Sequence, residues 1–152
     1  MKWKRNRRKI PTPRPLSDAA RLQFSFKHLD ADHPKFSLLR CNEEFFRSLL
    51  LTIKKYSEYT EEMFTDENNK EHRHKNFWDD TDEPDGFGHL DRAIQTEYSW
   101  QFALDSSNGD NSWRVHGMLA DNVFYIVWLD PLHQLGAKKS RDVSTRKSTG
   151  AK

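Results

Sequence analysis

The chain has 152 residues, 35% of them hydrophobic and 32% charged, with a mean hydropathy of −0.97. That length allows one domain with a core, and no apolar run is long enough for a membrane span. The net charge of +2 hides a segregation: residues 1–15 carry seven Lys or Arg and no acid, residues 138–152 carry six and one acid, and residues 16–137 carry 12 bases against 22 acids.

This pattern describes an acidic domain, 16–137, between two basic tails, 1–15 and 138–152. In the first tail, Lys4, Arg5, Arg7, Arg8 and Lys9 follow Trp3. Cations beside an indole suit phosphate contact and base stacking, so these five are candidate nucleic-acid-binding residues. Prolines at 11, 13 and 15 favour an extended linker. The lone Cys41 cannot form an internal disulfide, which points to a reducing compartment. No apolar segment follows the charged start as a signal peptide requires. A soluble, cytoplasmic protein without membrane contact is expected.

Ser17 to Ala20 has the character of a short helix. Leu22 to Leu29 alternates apolar and polar residues, which predicts a half-buried strand with Phe24 and Phe26 inward. Asp30 to Pro34 breaks it. Asn42 is placed to cap a helix whose Phe46, Leu49, Leu50 and Ile53 fall at i, i+3, i+4 and i+7. Thr60 opens a second helix, so the two form a helical hairpin. Asp66 to Gly86 is rich in charge and reads as a solvated irregular loop with Phe77 and Trp78 as anchors. His72 and His74 lie in it without nearby cysteines, a weak metal signal. Asp91 to Glu97 suggests a short helical turn. Trp100 to Leu104 reads as a strand, followed by turn-rich residues 106–112.

The stretch from Trp113 to His133 dominates the chain. Val123 to Leu129 is wholly β-branched, aromatic or Leu, as in a strand buried on both faces. Asp121-Asn122 tolerates the left-handed backbone of a two-residue hairpin turn. That turn sets Ala120 against Val123, Gly117 against Ile126 and Arg114 against Leu129. Trp113, Val115 and Leu119 then share one face, and Arg114, His116 and Met118 the other. A cation and an imidazole beside a buried strand need partners or a job. Arg114, His116, Asp130 and His133 converge near one end of the sheet in this register. They are the candidate catalytic residues. The expected fold is α+β in the order β-α-α-β-β-β, a small, mainly antiparallel sheet with the helical hairpin on one face.

This order, with an arginine opening the last hairpin and a histidine after its final strand, resembles the RelE/YoeB/ParE-like toxin superfamily. The resemblance runs from about Leu22 to Leu135 and is carried by W-R-V-H-G-M-L-A-D-N-V-F-Y-I-V-W-L. It implies a small toxin of a toxin–antitoxin system that cuts messenger RNA in the ribosome without a metal, with RNA, the ribosome and an antitoxin as partners. Arg114 would bind phosphate and His133 would act as general acid. His89 or Asp91 matches the family's other catalytic base by position only. Such toxins are usually shorter and basic, whereas this body is acidic.

The chemistry is consistent with that reading. Arg114 offers a fixed fork for phosphate, and His116 and His133 titrate near neutrality as base and acid. Asp130 is placed to orient an imidazole. The same residues also suit a structural Arg114–Asp130 pair with His116 on an exposed face, or two imidazoles and a carboxylate around a metal. No cofactor is implied. Cys41 has no imidazole or lysine beside it, and Gly86 and Gly88 lack the context of a phosphate loop. The alternative class is a non-catalytic interaction module whose basic tails bind nucleic acid.

Overall fold

The computed structural model describes residues 20–66, 68, 73–105 and 112–136. The basic tails, with Lys4, Arg5, Arg7, Arg8 and Lys9, lie outside the described residues, as do Ser17 to Ala19 and His72.

Five strands form one sheet in the order β1-β5-β4-β3-β2. They are β1 (Gln23–Ser25), β2 (Arg73–Lys75), β3 (Ser99–Ala103), β4 (Arg114–Ala120) and β5 (Val123–Asp130). Three neighbouring pairs are antiparallel, and β1 pairs with β5 in parallel. The helices are α1 (Glu43–Tyr56), α2 (Glu61–Thr65) and α3 (Arg92–Tyr98). The fold is therefore α+β, as expected, with a mixed sheet and an additional strand, β2, while the short helical turn expected at 91–97 forms as α3.

Asn42 caps α1 by accepting from Phe45 N at 2.9 Å, and Thr60 caps α2 through Met63 N at 3.2 Å. The face of α1 that meets the sheet differs from the expected one. Phe45, Leu49 and Tyr56 are buried, whereas Phe46 and Leu50 are exposed. Residues 45, 46, 49, 50 and 51 are all apolar, so two stripes overlap. The sheet takes the stripe that carries two of the helix's three aromatics, Phe45 and Tyr56. These pack with Phe64, Phe102, Val115, Leu119, Phe124, Ile126 and Leu129 in the first core cluster.

Two further expectations fail locally. The first strand stops at Ser25 and the chain turns, so Phe26 is exposed. The supposed loop at 66–86 contains β2, fixed by Arg73. The Arg73 guanidinium lies 5.4–5.6 Å from the Tyr56, Tyr59 and Phe64 rings, and its Nε donates to Phe64 O at 2.9 Å. A cation buried against three aromatic faces gains from each ring quadrupole, which ties a charged edge strand to the helical layer.

The second face of the sheet is covered as well. Phe36, Trp78, Phe87, Met118, Val127, Trp128 and Leu135 form a second core cluster there. Phe36 and Trp128 stack at 4.6 Å, and the Phe87 ring meets Trp128 edge-on at 4.8 Å. Both faces of β5 are thus buried, as its composition predicts.

The hairpin turn forms at Asp121 and Asn122, whose φ values are +51° and +61°. Ala120 pairs with Val123 and Gly117 with Ile126, as expected. His116, however, pairs with Trp128, and Arg114 pairs with Asp130 instead of Leu129. Val127 is the extra residue of a β-bulge. A bulge puts two successive residues on one side of the strand and reverses the alternation beyond it. Val127 and Trp128 accordingly share the second cluster, and Leu129 returns to the first. Asp130 is thereby delivered to the face that carries His116.

Candidate functional site

β4 places Arg114, His116 and Met118 on the second face because side chains alternate along a strand. His116 and Asp130 are both fully buried. Their Nε2 and Oδ2 atoms are 3.1 Å apart. They form a diagonal cross-strand pair, since Asp130 lies directly opposite Arg114. The alternative in which His116 lies on an exposed face fails, because residues 29–40 and the turn after β5 cover that face. The Phe36 ring centre is 6.1 Å from that of His116.

Asp130 also accepts from two backbone donors of the following turn. Gln134 N donates to Oδ1 at 2.8 Å and Leu135 N to Oδ2 at 3.1 Å. Burial pushes this carboxyl up, but the His116 bond and the two amides outweigh it and hold it below the usual carboxylate range. His116 is shifted down, first by burial, against the opposing pull of Asp130. The two shifts describe one state: an ionised Asp130 accepting from a neutral imidazole that carries its proton on Nε2. This follows from the carboxylate's three donors, which make the anion the cheaper charge to keep.

The turn that Asp130 holds carries His133. Its φ is +52° and its side chain is exposed. Its pKa is lowered by partial desolvation and then by the positive charge of Arg114, with Asp130 opposing. Arg114 is half-buried and donates from Nη1 to Trp113 O at 3.1 Å. The four sequence-derived residues therefore do gather, in two tiers. Arg114 and His133 reach the surface, and His116 and Asp130 lie beneath them.

The positional guesses sit elsewhere. Asp91 caps α3 through Ala93 N at 2.9 Å. His89 contacts His28 O at 3.1 Å and lines a separate cleft of about 550 Å³ with Asp30, His33, Glu83, Asp85 and Trp128. Among the described residues, no three His, Cys, Asp or Glu side chains gather as metal ligands. The Cys41 thiol is raised to about 11 by burial and by Asp130, so it stays protonated at neutral pH and is a poor nucleophile. No helix among the described residues is long and apolar enough to cross a membrane.

Sequence reasoning missed the polar residues beside His116. Gln101 lies directly opposite it on β3, and His74 directly opposite Gln101 on β2. Gln101 Nε2 lies 3.0 Å from Asn76 Oδ1 and 3.2 Å from His74 Nδ1. The one available signal was the single polar residue in W-Q-F-A-L.

Comparison with protein-family models, with curated proteins and with solved structures gave no match for this chain.

Proposed function

We propose that this protein is a metal-independent endoribonuclease of the RelE-like toxin kind, acting on messenger RNA in the cytoplasm. The observation that carries the reading is the placement of Arg114 and His133 together at the surface, over the buried His116–Asp130 pair. In such a reaction the RNA 2′-hydroxyl gives its proton to solvent water as its oxygen attacks the adjacent phosphorus, and the bond to the 5′-oxygen breaks. Arg114 offsets the charge that builds on the phosphorane. His133 gives the leaving oxygen its proton. The full burial of His116 assigns it a supporting role: it engages the carboxylate that shapes the His133 turn.

Purified protein incubated with messenger RNA should cleave it equally with and without a chelator. Arg114→Ala should lower the rate with little change in Tm. His133→Gln should lower it and flatten its pH dependence, because an acid with a pKa below 6.5 is more fully protonated as pH falls. Cleavage that disappears with chelator, or survives both substitutions, would overturn the proposal.

A second reading is an interaction module, favoured by the apolar residues on and before α1. Leu39 is 96% exposed and Leu50 64%, an apolar surface suited to a protein partner. An antitoxin would use it under the first reading and another protein under the second. If RNA is bound but not cleaved, and deleting residues 1–15 and 138–152 abolishes the gel shift, the second reading holds.

A further inference from the structure

Strand pairing sets Gln101 of β3 directly opposite His116 of β4, on the face of the second core cluster. Gln101 is 8% exposed and His116 not at all. Each carries one buried atom without a hydrogen-bond partner, Gln101 Oε1 and His116 Nδ1.

The neighbouring groups decide what those two atoms are. Asn76 Nδ2 lies 3.3 Å from the Trp100 carbonyl and 3.0 Å from Ser99 Oγ. A carbonyl takes only a donor, so the Asn76 amide has one orientation and its Oδ1 points to Gln101. That oxygen in turn needs a donor, which Gln101 Nε2 supplies. Turning the Gln101 amide over would set oxygen against oxygen. The remaining atom, Oε1, is therefore an acceptor. On the other strand the ionised Asp130 takes the proton of His116 Nε2, which leaves Nδ1 as a bare lone pair.

Two buried acceptors thus belong to directly opposed residues, whose Cβ atoms are about 4.5–5.5 Å apart in such a pair. Neither satisfies the other, and a buried acceptor left unpaired is costly. An anion would add a third acceptor. The Phe36 and Trp128 rings of this layer disfavour a cation without a countercharge. A single small neutral molecule with two donors meets the requirement.

We propose that Gln101 and His116 form a buried seat for one small neutral hydrogen-bond donor, a water molecule in the free protein. It gives one O–H to Gln101 Oε1 and the other to His116 Nδ1. The filled seat joins Gln101, His116 and Asp130 into one hydrogen-bonded row across three strands. The row runs from Gln101 on β3 to the carboxylate that holds the His133 turn. The seat is independent of any RNA chemistry, and so is its test.

The test is nuclear magnetic resonance of the full ¹⁵N-labelled chain at pH 7. Long-range ¹H–¹⁵N spectra should show His116 as the neutral tautomer protonated on Nε2 alone. A cross-peak should connect the ring proton next to Nδ1 with a long-lived water. In Gln101→Met, which keeps length and loses the acceptor, that cross-peak should vanish while the tautomer persists. A doubly protonated His116 at pH 7 would overturn the proposal, since Nδ1–H would then donate to Gln101 directly. The absence of a water contact in the unsubstituted protein would overturn it too, whether or not the variant folds. A contact that survives in Gln101→Met would remove Gln101 from the seat.

Discussion

Replacing Asp130 by Ala removes one side chain that accepts three hydrogen bonds, from His116 Nε2 and from the Gln134 and Leu135 amides, at 2.8–3.1 Å, the Gln134 bond part-buried and the other two buried. A bond to a charged group contributes roughly 1.5–3 kcal/mol. The three do not simply add, because the turn can open and return its two amides to water. The His116 donor has no such escape, since its ring is fully buried. Relief of the carboxylate's own desolvation offsets part of the loss. Breaking one side of a buried pair costs about 3–5 kcal/mol, and Asp130→Ala should fall in that range. For a domain stabilised by about 5–15 kcal/mol that is a large share. Urea unfolding at pH 7, followed by far-ultraviolet circular dichroism, measures it. A loss below about 1 kcal/mol with an unchanged slope would refute the reasoning, because Asp130 would then have been solvated in the folded state.

Three shorter predictions follow from the same packing. Ile126 is fully buried, so Ile126→Ala should cost roughly 2–5 kcal/mol in the same assay; a midpoint that barely moves would place β5 outside the core. A Cβ on Gly117 would run into the Tyr125 backbone carbonyl and approach the Phe124 ring to 2.6 Å, so Gly117→Ala should destabilise by about 1–3 kcal/mol or more, and a neutral effect would argue against the bulged pairing. His116 and His133 both sit below the ordinary 6.5 in the folded chain, so the unfolded chain binds more protons as pH falls below 6.5. Stability should therefore hold above pH 6.5 and decline through the folded-state values, seen as a lower urea midpoint at pH 5 than at pH 7.

The hairpin was legible because its signals are local. Asp121-Asn122 specifies the turn, and the apolar run of β5 specifies burial on both faces. The placing of Arg114 and His116 on one face, and of Asp130 and His133 at the same end of the sheet, followed from turn length and alternation. The bulge did not, because no residue type in V-F-Y-I-V-W-L-D demands one. Its effect is large: without Val127 as an extra residue, Asp130 would face the helical layer, away from His116. β2 was illegible for a different reason. R-H-K has no apolar periodicity, and it becomes a strand through Arg73 seated among Tyr56, Tyr59 and Phe64. The true inward face of α1 depended on which of two overlapping apolar stripes the sheet would accept.

A buried ion pair or hydrogen-bonded charge in an aromatic layer is not the cheapest way to fill it. Well-packed apolar side chains of similar volume are often neutral or stabilising when they replace both partners. The combined variant His116→Leu with Asp130→Leu should therefore recover most of the stability that Asp130→Ala loses, since no buried donor on His116 is left unmatched. What it does not restore is an acceptor for the Gln134 and Leu135 amides, so the turn that carries His133 loses its tie to β5. The expected result is a folded protein with a near-normal urea midpoint and a deficit confined to whatever His133 does, read as slower RNA cleavage under the nuclease reading. Loss of both stability and cleavage would make the pair a structural element of the core. Recovery of both would show that the turn is held by other contacts, such as Leu135 in the second cluster, and that the buried carboxylate does not place His133.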